Sequence, residues 1–222
     1  MTNWISLLQK YRAIAVIRYP KLEIGLNMAQ AVATGGVRLI EITWNSEQPE
    51  LLVSKLRHSL PECMIGAGTI LTLPQLNQAI AAGAQFIFSP HLDTTLIQAA
   101  IAAEIPIIPG ALTPTEIVTA WHSGASCVKV FPIQGMGGVT YLKSLQSPLG
   151  QIPLIPTGGV TIENALDFIQ AGAVAVGLSG NLFPSKLVVN HDWQEITARA
   201  KLLSQSISHH QYSHSHNDEL IF

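Results

Sequence analysis

Charge is scarce in this chain. Asp, Glu, Lys and Arg make up only 12% of the 222 residues, and the formal net charge is −2. That balance gives no electrostatic case for nucleic acid or an anionic membrane surface as a partner. Cysteine is scarcer still: Cys63 and Cys127 are the whole complement, both in apolar, strand-like surroundings. A disulfide framework is therefore not expected, and a cytoplasmic protein is the default reading. No apolar run reaches the ~18 residues that a membrane-spanning helix needs. The N-terminal stretch "MTNWISLLQKYRAIAVIR" spaces Trp4, Ile5, Leu7 and Leu8 at helical intervals. It has neither the continuous apolar core nor the small-residue cleavage site of a secretory signal. Hydrophobic residues, by contrast, reach 48%, a surplus most simply hidden in a subunit interface.

What the chain does have is rhythm. Short apolar runs end near Arg18, Thr43, Gly68, Ser89, Pro109, Phe131, Pro156 and Gly177, at intervals of roughly 20 to 25 residues. Amphipathic stretches of helical period lie between them, such as "EIGLNMAQAVATGG" and "PQLNQAIAAGA". Several close on a glycine directly before the next run, namely Gly36, Gly83, Gly124 and Gly172. Glycine takes the left-handed conformation that ends a helix. Eight strand–helix units without a hairpin signal point to a single (β/α)₈ barrel over residues 1–208 with an N-terminal helix. A doubly wound open sheet is the alternative. The last segment, residues 209–222, holds four of the eight histidines. It reads as a mobile tail rather than a metal site, because it offers no cysteine partners and no apolar frame.

Barrels of this kind carry their chemistry at the C-terminal ends of the strands. Two strands there contain an ionisable residue where an apolar one is expected. In "ASCVKVFPIQ", alternation puts Cys127, Lys129 and Phe131 on one face and Val128 and Val130 on the other. In "RLIEIT", Leu39, Glu41 and Thr43 share a face. A buried lysine either finds a carboxylate partner or loses its proton. Lys129 and Glu41 thus form either a structural ion pair, which gives little net stability over apolar replacements, or a site. In the second reading the amine attacks a carbonyl to form a Schiff base and the carboxylate moves protons.

The segments "LIEIT", "GAGTIL", "AGAQFIFSPHLD", "IPGALTPTE", "VKVFP", "PTGGV" and "VGLSGNLFP" follow one another in a recognisable order. Over roughly residues 10–184 the chain resembles the class I aldolases acting on 2-keto-3-deoxy-6-phosphogluconate and 4-hydroxy-2-oxoglutarate. The resemblance implies a (β/α)₈ barrel, a homotrimer, and no metal or other cofactor. It makes Lys129 the Schiff-base lysine and Glu41 the general acid/base. It also gives Thr69 a substrate carboxylate to bind. Arg18 in "AVIR" sits where the family carries its phosphate arginine.

The turns after the seventh and eighth strands are where barrels bind phosphate through backbone N–H groups. Here they read Thr157-Gly158-Gly159 and Ser179-Gly180. Two positions depart from the family pattern. Asn45 stands where many members place an arginine for the substrate carboxylate, offering hydrogen bonds without charge. Ser179-Gly180 stands where many members read Gly-Ser. Two other activity classes fit parts of the pattern: a barrel that binds a sugar acid without turning it over, and a phosphate-binding isomerase with a carboxylate base. Neither needs an amine at the end of the sixth strand. Of the remaining residues, Asp93 beside His91 reads as a helix N-cap, and Pro132 as a turn former. Trp44 keeps two readings, lining the mouth of the site or packing on a helix.

Overall fold

The alternation of apolar runs with amphipathic stretches becomes an alternation of strands and helices. The computed structural model describes residues 4–19 and 21–208, so the histidine-rich segment 209–222 lies outside the described residues. The elements are α1 (Trp4–Tyr11), β1 (Ala13–Ile17), α2 (Leu22–Thr34), β2 (Leu39–Thr43), α3 (Pro49–Ser59) and β3 (Met64–Gly68). Next come α4 (Leu73–Ala81), β4 (Ile87–Phe88), α5 (Thr94–Ala102), β5 (Ile107–Ile108), β6 (Gly110–Ala111) and α6 (Pro114–His122). The chain continues through β7 (Val128–Val130), a 3₁₀ turn (Gln134–Met136), α7 (Val139–Leu149), β8 (Leu154–Pro156) and α8 (Ala165–Gln170). The last of the described elements are β9 (Val176–Leu178), α9 (Ser185–Val189) and α10 (Trp193–Ser208).

Local chemistry sets the helix boundaries. Asp93 caps α5 by accepting from the N–H groups of Thr95 (2.7 Å) and Leu96 (3.3 Å). Thr113 and Glu116 form a capping box at the start of α6. The glycines expected to end helices do so: Gly36, Gly83, Gly124 and Gly172 all have positive φ. At Gly124 the next N–H, that of Ala125, reaches back to the Ala120 carbonyl, which turns the chain sharply into the strand carrying Lys129.

Every strand pairing is parallel. One sheet runs β5-β4-β3-β2-β1-β9 and the other β6-β7-β8, and a parallel bridge between Thr157 and Gly177 sets β8 beside β9. The result is an α/β fold with a curled parallel sheet. β5 and β6 are one apolar run in the sequence but two segments here. Pro109 lies between them and has no N–H to give the ladder.

The sheet divides the apolar residues into two cores. Ile40 and Ile42 of β2 face outward into the core shared with the helices. Leu39 of the same strand faces inward with Ile14, Val16, Phe86, Phe88, Ile108, Cys127 and Ile155. Helix α1 closes the lower end of this inner core: Trp4 and Leu8 join it, and the Trp4 ring lies 5.0 Å from that of Phe86. The helical spacing of Trp4 and Leu8 is thereby explained. Room for Phe86 comes from Gly66, where any Cβ would fall on the Phe86 ring. Gly66→Ala is expected to destabilise the fold by about 1–3 kcal/mol through overpacking, read as a lower urea midpoint with an unchanged m-value.

Candidate active site

Alternation along β2 and β7 turns Glu41 and Lys129 inward, and both end up buried, at 1% and 6% exposure. The Lys129 amine lies between two aromatic rings, 5.5 Å from the centroid of Phe88 and 5.1 Å from that of Phe131. Below it on the same face is Cys127, whose thiol is pushed up to about 12, first by burial. Cys127 is therefore an inert filler rather than a competing nucleophile.

Glu41 is held in an unusual state. Its Oε1 is buried without a hydrogen-bond partner. Burial raises its pKa, and the positive charges of Lys129 and then Arg18 offset only part of that rise. A structural ion pair would saturate the carboxylate with hydrogen bonds; an acid that gives and takes a proton needs a free oxygen. Space for the carboxyl comes from Gly68, where any Cβ would collide with it.

Above Lys129 the strand ends open into a cavity of about 330 Å³. Its wall brings together Arg18 after β1, Thr69 after β3, Lys129 in β7, Thr157 to Gly159 after β8, and Ser179 and Gly180 after β9. Thr69 has a φ of 59°, strain that a threonine adopts only when its surroundings demand it. The Thr157 backbone is fully used: its N–H donates to the Val130 carbonyl (3.0 Å) and its carbonyl accepts from Ile133 (3.0 Å). Its hydroxyl is buried and unpartnered, with room left by Gly177, where a Cβ would stand 2.5 Å from Thr157 Oγ1.

The Gly158-Gly159 pair has φ of 85° and 96°. Only glycine takes two such residues in a row without strain. A Cβ on Gly159 would also strike Gln134. Their carbonyls accept from the Gln134 N–H and the Asn164 amide, and both glycines line the cavity. Arg18 is exposed at the rim.

Two residues singled out in the sequence fall elsewhere. Asn45 is exposed beyond β2 and is not part of the cavity wall. Trp44 is buried, and its indole N–H donates to the Gln78 side chain of α4 at 3.4 Å, so helix packing is the reading that holds. The wall also includes Pro90, Thr161 and Asn181, which sequence reasoning passed over. Asn181 follows the Ser179-Gly180 turn directly, and that adjacency was the available signal.

A larger cavity, about 510 Å³, opens at the opposite ends of the strands beside Ile5, Arg12 and Gln151. Among the described residues its wall has no carboxylate, lysine or thiol. The chemistry therefore belongs to the smaller one.

A buried amine, a buried acid with a free oxygen and a glycine-rich rim bearing Arg18, at one end of a parallel α/β sheet, are the equipment of a carbon–carbon lyase. The family model for the KDPG and KHG aldolases matches residues 5–199. A 2-dehydro-3-deoxy-phosphogluconate aldolase of Treponema pallidum is 30% identical over 93% of this chain and 99% of its own. The KHG/KDPG aldolase of Escherichia coli K12 is 34% identical over 90% and 96% respectively. Among solved structures, a Legionella pneumophila KDPG aldolase superposes with a TM-score of 0.79 at 28% identity, covering 92% of this chain and 96% of that one. That crystal structure holds pyruvate as a covalent carbinolamine intermediate. The chain belongs to the KDPG/KHG aldolase family and is a class I, Schiff-base carbon–carbon lyase.

The raised pKa of Glu41 has a consequence for stability. Above the ordinary value of 4.5, the unfolded chain loses this proton while the folded chain keeps it. The group's contribution to stability therefore falls as pH rises from 4.5 through the folded value, and is flat above that. Glu41→Gln removes the titration. Urea midpoints of the two proteins, followed upward from about pH 4.5, should shift in favour of the variant and then level off. A constant difference would show that Glu41 is not held protonated by burial.

Proposed function

We propose that Lys129 and Glu41 carry out retro-aldol cleavage of 2-keto-3-deoxy-6-phosphogluconate to pyruvate and glyceraldehyde 3-phosphate. The same pair would cleave 4-hydroxy-2-oxoglutarate to pyruvate and glyoxylate. The observation that carries this reading is the free, buried carboxyl oxygen of Glu41, within electrostatic reach of a Lys129 that walls the cavity.

The Lys129 amine adds to the C2 carbonyl, giving a carbinolamine. Glu41, whose pKa burial raises, acts as the acid and supplies the proton with which the hydroxyl leaves as water, and the iminium forms. The carboxylate so produced takes the C4 hydroxyl proton, assisted by water, as the C3–C4 bond breaks. The bond's electron pair moves into the iminium, the aldehyde departs, and an enamine remains. Protonation at C3 and addition of water to the iminium then release pyruvate and restore the amine. The iminium is itself the electron sink, so the step needs no metal. Phe88 and Phe131 flank the nitrogen that becomes cationic, an arrangement that favours the iminium.

At the near end Thr69 takes the substrate carboxylate, with Asn45 at a distance as a further polar group. The Thr157 hydroxyl meets the oxygen-bearing middle of the chain. At the far end Arg18, Gly158, Gly159, Ser179 and Gly180 take the phosphate. The architecture is proposed as an eight-stranded closed barrel over residues 1–208, counting β5 and β6 as one strand. A homotrimer is the proposed assembly; Leu51, Leu71 and Leu73, exposed at 41%, 47% and 38%, support a covered face. Cys63 and Cys127 are free thiols, which supports the cytoplasm as the compartment.

Borohydride added with pyruvate should add one reduced pyruvate adduct to the protein, mapped to the peptide containing Lys129. Absence of the adduct, or its persistence in Lys129→Ala, would refute the Schiff-base assignment in favour of a binder or an isomerase. At the rim, Arg18→Ala should lower kcat/KM for the phosphorylated substrate about 10- to 150-fold, the effect of one charge-assisted hydrogen bond. The hydroxy-oxoglutarate should lose much less. Equal losses for both substrates would move Arg18 out of the phosphate site.

A further inference from the structure

We infer that Asn181 is a phosphate-binding and specificity-determining residue of this chain, locked in its donor orientation by the main chain of Ile162 and by Arg199. The inference rests on the proposed cleavage of a phosphorylated keto acid and adds a residue to it.

An asparagine amide has one accepting and one donating end, and only its partners decide which end faces a ligand. At Asn181 the partners decide it. Oδ1 accepts from the Ile162 N–H at 2.9 Å, and Nη2 of Arg199 lies 3.5 Å from the same oxygen. A flipped amide would set two donors against each other, so the orientation is fixed. The main-chain carbonyl of Asn181 is held too, by Arg199 Nη2 at 2.7 Å and Nε at 3.2 Å. Both oxygens of the residue are thus occupied. The other end of its side chain is the Nδ2 amide nitrogen, which donates to no acceptor among the described residues, and the residue lies in the cavity wall beside Ser179, Gly180 and Thr161. Two donor hydrogens therefore remain to be satisfied at the rim where Arg18 stands.

The same bonds join parts of the site that are far apart in sequence. Ile162 follows the Gly158-Gly159 turn, and Asn181 follows the Ser179-Gly180 turn. Their hydrogen bond pins one anion-binding turn to the other. Arg199, in α10, braces the joint from behind and brings a positive charge to within one residue of the cavity. It touches no substrate, and its role is positioning. Gly180 adds to the picture: a Cβ there would meet nothing within 4 Å, so the rim beside Asn181 is open enough for a phosphate group.

Asn181→Asp tests the assignment. Aspartate keeps the oxygen that accepts from Ile162 and replaces the donor with a second, negatively charged oxygen. Inorganic phosphate titrated into the full-length protein and followed by ³¹P line width should bind about tenfold or more weakly in the variant. The ratio of kcat/KM for the phosphorylated substrate over that for 4-hydroxy-2-oxoglutarate should fall by a similar factor. Unchanged phosphate affinity, or an unchanged ratio, overturns the proposal. Should Asn181→Asp fail to fold, Arg199→Gln carries the test. It leaves the cavity wall in place, releases the joint and should weaken phosphate binding severalfold, with no change counting against the proposal. Failure of the underlying reading looks different: no pyruvate adduct forms at Lys129 in the unmodified protein, whatever phosphate does.

Discussion

The cost of holding an amine and a carboxyl inside an apolar sheet governs the rest of this structure. Neither group has an easy route to water, and a charge left in such surroundings is expensive unless it is paired or neutralised. The protein neither buries them as a saturated ion pair nor removes them. Burial raises the Glu41 pKa, and one of its oxygens is left unbonded. The protein flanks Lys129 with aromatic faces. Stability is given up at one layer of the inner core, and the layers below make it good. Phe86, Phe88, Ile14 and Leu39 are almost wholly buried there, and Trp4 and Leu8 of α1 seal the end.

Glycine supplies the space this arrangement needs. Gly68 admits the Glu41 carboxyl, Gly66 admits Phe86, and Gly177 admits the Thr157 hydroxyl. In each case a methyl group would occupy the volume of a functional or core side chain. The Gly158-Gly159 turn is a different case, since the backbone conformation itself excludes other residues. Packing and chemistry are thus solved by the same residues, and a site of small volume is assembled from six separate strand ends.

Much of this was legible in the sequence, for identifiable reasons. Strand alternation has period 2, so Glu41 and Lys129 declared themselves by occupying inward positions that apolar residues normally take. The glycines at helix ends announced the strands that follow. Turn sequences after the last strands stood out because a parallel strand–helix alternation puts them at the same end as Lys129. What escaped notice depends on contacts across the fold. Nothing local separates Ile107–Ile108 from Gly110–Ala111 except Pro109, whose missing N–H matters only once a neighbouring strand asks for it. Asn181 acquires meaning from Ile162 and Arg199, and the pairing exists only after α8, β9 and α10 have packed. Trp44 reads equally well as part of a site or of a core until Gln78 is placed beside it.

The plug formed by α1 also dictates traffic. With Trp4 and Leu8 filling the lower end of the inner core, the approach to Lys129 among the described residues is the cavity at the strand ends. With the Schiff base at Lys129 proposed above, the keto-acid half is held by that amine while the aldehyde half is free to leave. Release therefore has a compulsory order, aldehyde first and pyruvate last. In the synthetic direction the queue reverses, and pyruvate has to be seated before any aldehyde is accepted.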